Sequence, residues 1–313
     1  MNVFTFDPAD HRDQFLSQGW IVIKNGASPE FVEHVREFVE REIGSDSFDD
    51  FAIAGKKGQA KYEFPAGARF PDELFDSISG TCDLDRETIA LSERHINAYD
   101  SNANPNPAPH KDRDASKISC GVCIDPADSE LVIYPGASRE LNPFTSAATY
   151  YASLPADQKP EVALTADQEV VIKDEPGDVM MFYGSAIWHM RRNSARSVNL
   201  YMKFNDFDYD PLGEDPNTID RQSRTQQLLS SNGGSLPADA IAKVSRQLES
   251  LTTQRSRNEI DVRQAKLWGQ DPVLLDADEL KLLQQLNGGT SVGSLDQGLV
   301  RRLAERGLVD LLS

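Results

Sequence analysis

The sequence predicts a mainly β protein: a double-stranded β-helix, or jelly roll, with flanking helices and a separate helical module at the C-terminus. Three observations lead there. Residues 92–210 alternate short apolar runs with turn-forming residues, a rhythm that suits a jelly roll better than βαβ units. A helical period precedes that region: after Ser28-Pro29-Glu30, the side chains of Phe31, Val35, Phe38 and Val39 share one face, which should lie against a sheet. At 313 residues the chain is long for one compact domain, and its pattern changes past residue 235.

Taken in order, a helix is expected near residues 8–18 and a strand over 20–23. Ser28 then caps a second helix, with Pro29 at its first position and Glu30 in its first turn, and Gly44 ends it. Residues 45–70 have no regular period and read as a mobile loop over the site; their glycines do not make a phosphate loop. Short helices are expected at 71–79 and 83–91, and residues 139–168 form an insertion between strands. A first domain thus spans 1–210, a Pro-, Gly- and Ser-rich linker 211–235, and a module 236–313. In the module, helices are expected at 237–257 and 258–267. A third carries Leu280, Leu282, Leu283 and Leu286, and a fourth covers 294–306.

The chemistry centres on Pro109-His110-Lys111-Asp112. On a strand, residues i and i+2 point to the same face, so His110 and Asp112 project side by side while Lys111 turns away. His189 follows a Pro176-Gly177-Asp178 turn and an apolar strand, and completes a set of two imidazoles and one carboxylate. Such a set leaves coordination positions open and is the usual arrangement of non-haem Fe(II) oxygenases. In the run from Ser92 to Tyr99, a period of two puts His95, Asn97 and Tyr99 on one face; His95 reads as a supporting residue rather than a further ligand. His11 and His34 read as surface or boundary histidines.

In the order of its motifs the chain resembles the Fe(II)/2-oxoglutarate dioxygenases, in the phytanoyl-CoA-dioxygenase-like branch, across residues 13–208. The motifs are Phe15 with Gly19-Trp20-Ile21-Val22-Ile23, the His110/Asp112 pair, Tyr134-Pro135-Gly136-Ala137-Ser138, Gly177-Asp178 leading to Phe182, the distal His189, and Asn193-Ser194-Ala195-Arg196. Two departures stand out: Ser138 replaces a histidine of the branch, and the spacing from His189 to Arg196 is short. The resemblance implies a cupin-like core, Fe(II) held by His110, Asp112 and His189, and 2-oxoglutarate as cosubstrate. Arg196 would clamp the far carboxylate, with Asn97 and Tyr99 hydrogen-bonding the cosubstrate; Arg191 and Arg192 read as surface loop charges. The implied reaction uses dioxygen and releases succinate and CO2 while a small metabolite is hydroxylated, desaturated or oxidatively cyclised. Asp112 argues against halogenation, which needs a small residue there. The alternative is a protein- or peptide-modifying hydroxylase that docks its target through the C-terminal module, which itself resembles the winged-helix-like tails of some cupin-type oxygenases.

Composition narrows the partners. A formal net charge of −18 repels phosphate backbones and acidic membrane surfaces, which disfavours nucleic acid and membrane as partners. The three cysteines make no disulfide framework, and Cys120 and Cys123 fall on opposite faces of one strand. No apolar run has membrane-spanning length and the N-terminus lacks a signal core, so a reducing, cytoplasmic setting is expected. The leucine stripe in the module calls for an apolar partner, such as the barrel or a second subunit in a homodimer.

Overall fold

The structure is a computed structural model. It describes residues 2–43, 57–65, 70–138, 141, 146–231, 235–255, 261–286 and 288–312. Most of the expected loop at 45–70 lies outside the described residues. The chain divides into two compact units, Met1–Phe207 and Asp208–Ser313.

The first unit opens with α1 (Ala9–Gln18), β1 (Trp20–Ile23) and α2 (Pro29–Glu42). The Ser28 hydroxyl accepts from the Phe31 N–H, as the cap reading requires. Next come β2 (Lys57–Lys61), α3 (Phe70–Cys82) and β3 (Ala90–Tyr99). The helix expected at 83–91 is absent. Asp83 adopts a positive φ of 55° and the Asp85 carboxylate accepts from the Glu87 N–H, so the chain turns and enters β3 instead.

Six more strands follow: β4 (Ile118–Asp125), β5 (Glu130–Tyr134), β6 (Val170–Ile172), β7 (Val179–Tyr183), β8 (Trp188–Arg192) and β9 (Val198–Asn205). Two short helices, α4 (Ala147–Ser153) and α5 (Pro160–Ala163), lie in the insertion between β5 and β6. The large sheet has the order β1-β7-β4-β9-β3-β2 and the small one β6-β5-β8, antiparallel throughout. His110 adds a one-residue bridge to β8. From β3 onward the chain therefore passes back and forth between two facing sheets, which is the double-stranded β-helix that the strand rhythm predicted.

Each strand has two faces and each face a different task. On the outer face of the large sheet, Ile96, Ile118, Cys120, Val122, Leu200, Met202 and Phe204 join one apolar core with Phe31, Val35 and Phe38 of α2 and Leu74, Phe75 and Ile78 of α3. Between the sheets lie Leu131, Ile133, Met180, Phe182 and Ile187. On the outside of the small sheet, Val132, Tyr134, Trp188 and Met190 are covered by Tyr150, Tyr151, Leu154 and Leu164 of the insertion. What remains facing inward is largely polar.

The second unit comprises α6 (Pro216–Ser231), β10 (Ile241–Val244), β11 (Leu248–Arg255), β12 (Asp261–Leu267), β13 (Val273–Leu274), α7 (Ala277–Gln285), β14 (Thr290–Ser291), α8 (Gln297–Glu305) and β15 (Val309–Leu312). Two expectations are corrected. The supposed linker contains α6, which buries Thr218, Thr225 and Leu229 at helical spacing. The helices expected at 237–257 and 258–267 are strands: burial of Ala240 with Ala242, and of Ala265 with Leu267, has a period of two. The module is thus mixed, with sheets β14-β10-β15 and β11-β12-β13. Its core gathers Leu282, Leu283 and Leu286 against Leu299, Val300, Leu303 and Leu311. Among the described residues no helix is long and apolar enough to cross a membrane.

Candidate metal centre

His110, Asp112 and His189 come together: one possible ligand atom from each lies within 4.8 Å of the others. Two strands bring them there. The backbone N–H of His110 donates to the His189 carbonyl, and the N–H of His189 to the His110 carbonyl, both at 2.9 Å. The imidazole rings sit 4.4 Å apart, and Asp112 Oδ1 lies 3.7 Å from His189 Nε2. His189 Nδ1 is 3.0 Å from the Ile187 carbonyl, which can only accept, so the proton sits on Nδ1 and the Nε2 lone pair faces the cluster. Burial pushes His189 below its ordinary value, against the pull of Asp112, which keeps the ring neutral and able to ligate. Burial alone would raise the Asp112 carboxyl; Lys203 and the two histidines outweigh it and hold the group ionised, well below the usual carboxylate range.

Two neutral imidazoles and one carboxylate fit a first-row divalent cation, and the carbonyl-oriented His189 fits one in particular. Lys111, between His110 and Asp112, turns outward as expected and lies over the rings of Tyr150 and Trp188, 5.4 and 5.3 Å from their centroids.

Further down the interior, β3 and β9 present matched residues. His95 pairs with Tyr201 and Asn97 with Asn199. Asn97 is buried inside the barrel as predicted, and its Oδ1 finds no hydrogen-bond partner; both side-chain heteroatoms of Asn199 are in the same state. The Tyr99 hydroxyl is raised by burial and by Tyr201, which places its ring at the same end. Three separate readings thus meet on one wall.

The cations fall differently from expectation. Arg196 sits on an exposed turn at φ 68°, where its N–H donates to the Tyr99 carbonyl at 3.0 Å. Arg191, read as a surface charge, is buried. Its Nε donates to the Tyr201 hydroxyl at 3.0 Å, Nη1 to Ser129 Oγ at 2.9 Å and Asp174 Oδ1 at 3.1 Å, and Nη2 to Asp174 Oδ2 at 2.9 Å. The last Nη2 hydrogen faces the Met180 sulfur at 3.6 Å. All five N–H groups are engaged. The signal for Arg191 was present: it stands two residues after His189, on the same face of the same strand. Lys203 was also missed. It is buried, and its ammonium contacts Asp112 Oδ2 directly and Ser119 Oγ at 2.9 Å.

No family model matches the chain, and no curated protein does. Among solved structures it is similar to a prolyl-4-hydroxylase from Pseudomonas putida, at 12% identity and a TM-score of 0.38 over 63% of this chain and 97% of that one. It is similar to EvdO2 from Micromonospora carbonacea var. aurantiaca, at 15% identity and 0.44 over 66% and 95%. HygX from Streptomyces hygroscopicus, with nickel and 2-oxoglutarate bound, gives 11% and 0.42 over 64% and 88%.

Proposed function

We propose that this protein is a non-haem Fe(II)- and 2-oxoglutarate-dependent oxygenase acting on a small metabolite. The observation that supports this best is the cluster of His110, Asp112 and His189 inside a double-stranded β-helix. Bound together, Fe(II) and 2-oxoglutarate supply the oxidising power, with dioxygen consumed and succinate and CO2 released.

The interior charges match a doubly negative cosubstrate. Arg113 pairs with Glu93 at 2.9 Å, Arg191 with Asp174, and Lys203 with Asp112. These pairs are each neutral. A divalent cation adds two positive charges, and a dicarboxylate removes them. Because Arg191 is already saturated, its role toward the cosubstrate is indirect: it accepts nothing, but it fixes Tyr201 so that the phenolic proton is left to donate. Lys203, Tyr201, Asn97 and Tyr99 are the groups that line the route from the metal ligands into the barrel. Arg196 is the competing clamp, at the turn that opens β9.

Anaerobic titration with Fe(II) and 2-oxoglutarate tests the reading. A weak visible charge-transfer band, then succinate on admission of air, is expected for the wild type and not for His189→Ala. Absence of both in the wild type refutes it. Arg196→Gly removes the guanidinium at a backbone conformation glycine accepts, so it decides the clamp without disturbing the fold. A loss of affinity worth about 2–5 kcal/mol there, for truncating one partner of a buried charge pair, would restore Arg196 to that role.

A further inference from the structure

We propose that Lys203, Ser119 and Gly184 are positioning residues that hold Asp112 as a one-oxygen ligand, an inference that rests on the metal-binding reading above. The two carboxylate oxygens of Asp112 have different surroundings. Oδ1 faces His189 Nε2. Oδ2 accepts from the Ser119 hydroxyl at 2.5 Å and from the Lys203 ammonium. Ser119 and Lys203 are themselves joined at 2.9 Å and are buried side by side on β4 and β9, where they are register partners. The backbone of Asp112 is fixed as well, its N–H donating to the Gly184 carbonyl at 3.0 Å. Gly184 must be glycine for this: a Cβ there would fall inside van der Waals contact of both Ser119 Oγ and Asp112 Oδ2.

Such a clamp stops the carboxylate from rotating to offer both oxygens to the metal, and so keeps coordination positions open for a chelating cosubstrate. It also gives Lys203 a sign that a test can read. A lysine that acted only by its charge would repel a divalent cation, and its removal would tighten metal binding. A lysine that positions Asp112 weakens metal binding when removed.

The experiment measures Co(II) affinity of the purified full chain by competition with a chromogenic chelator, for wild type, Ser119→Ala, Lys203→Met and Gly184→Ala. Circular dichroism melts report folding alongside. Loss of a partner that orients a metal ligand lowers affinity about 10–100-fold, and that loss is expected in Ser119→Ala and Gly184→Ala, with Lys203→Met also weaker than wild type. Unchanged affinity in Ser119→Ala, or tighter binding in Lys203→Met, overturns the proposal. If Lys203→Met fails to fold, Ser119→Ala decides alone. A wild type that binds no Co(II), with His189→Ala indistinguishable from it, would instead bring down the metal-binding reading itself.

Discussion

Replacing Asp174 by alanine should cost about 3–5 kcal/mol of stability, the range for breaking a buried ion pair by removing one partner. The structure explains why the cost falls at the high side for a single side chain. Both Asp174 oxygens accept from Arg191, and both residues are almost fully excluded from solvent. Without the carboxylate, Arg191 keeps Tyr201, Ser129 and a thioether as partners, none of them charged. The Arg191 guanidinium, pushed down by burial, is held above its ordinary value by Tyr201 and Asp174, so it stays charged in either variant. Urea unfolding followed by tryptophan fluorescence measures the effect. The double variant Asp174→Leu with Arg191→Met should recover much of the loss, because apolar residues of similar volume replace a buried pair at little net cost. A loss below about 1 kcal/mol in Asp174→Ala, or a double variant no better than the single one, would show that the pair is not the brace described. It would also leave Arg191 open to serve the cosubstrate directly.

Other outcomes follow from single contacts. Asp310 is buried on β15 with Oδ2 unpartnered, and burial, against the pull of Arg221 and Arg246, raises its carboxyl to about 6. A raised folded value means the protonated form stabilises the fold; that contribution is complete below about pH 4 and lost as pH passes through 6. Asp310→Asn should therefore match wild type in melting near pH 4 and exceed it at pH 7–8, by ~3 kcal/mol at most; a constant offset at all pH values would contradict this. Gly121→Ala should destabilise by about 1–3 kcal/mol, because a Cβ would stand 3.0 Å from Met180 Cγ and 3.1 Å from Tyr201 Cε1; a neutral result would mean that the Tyr201 ring can move aside. Deleting residues 270–313 removes β14 and β15 from the sheet around β10 and strips half of the second core. The truncated chain should aggregate or lose its second unfolding transition, and a soluble chain with unchanged melting would refute that packing.

The metal ligands were legible because the relevant geometry is local. A two-residue spacing on a strand decides which side chains share a face, and that rule placed His110 with Asp112 and also Asn97 with Tyr99. Pairing between distant strands is not local, and there the reading was incomplete. Lys203 meets Asp112 only because β9 lies beside β4, which no spacing along the chain announces. Arg191 was different: the same period-two rule applied to it, but the run Arg191-Arg192 looked like a polar strand end. In the second unit the strands β11 and β12 carry Glu249, Gln254, Arg263 and Gln264 among their apolar residues. A half-buried polar hairpin of that kind leaves no clean alternation, and charged residues with leucines at three- or four-residue intervals imitate a helix. The helix α6 was hidden for the opposite reason, since two of its buried positions are threonines.

The reciprocal hydrogen bonds between His110 and His189 carry one more consequence. Gathering donors from distant parts of a flexible chain costs entropy, and that cost grows with the length of chain enclosed. Here the main chain itself draws the two histidines together, by bonds that involve no side chain and no ion. The loss of freedom is met when the barrel folds. What a cation then has to do is displace its own water, not organise the protein, and the site can exchange its metal without the strands coming apart.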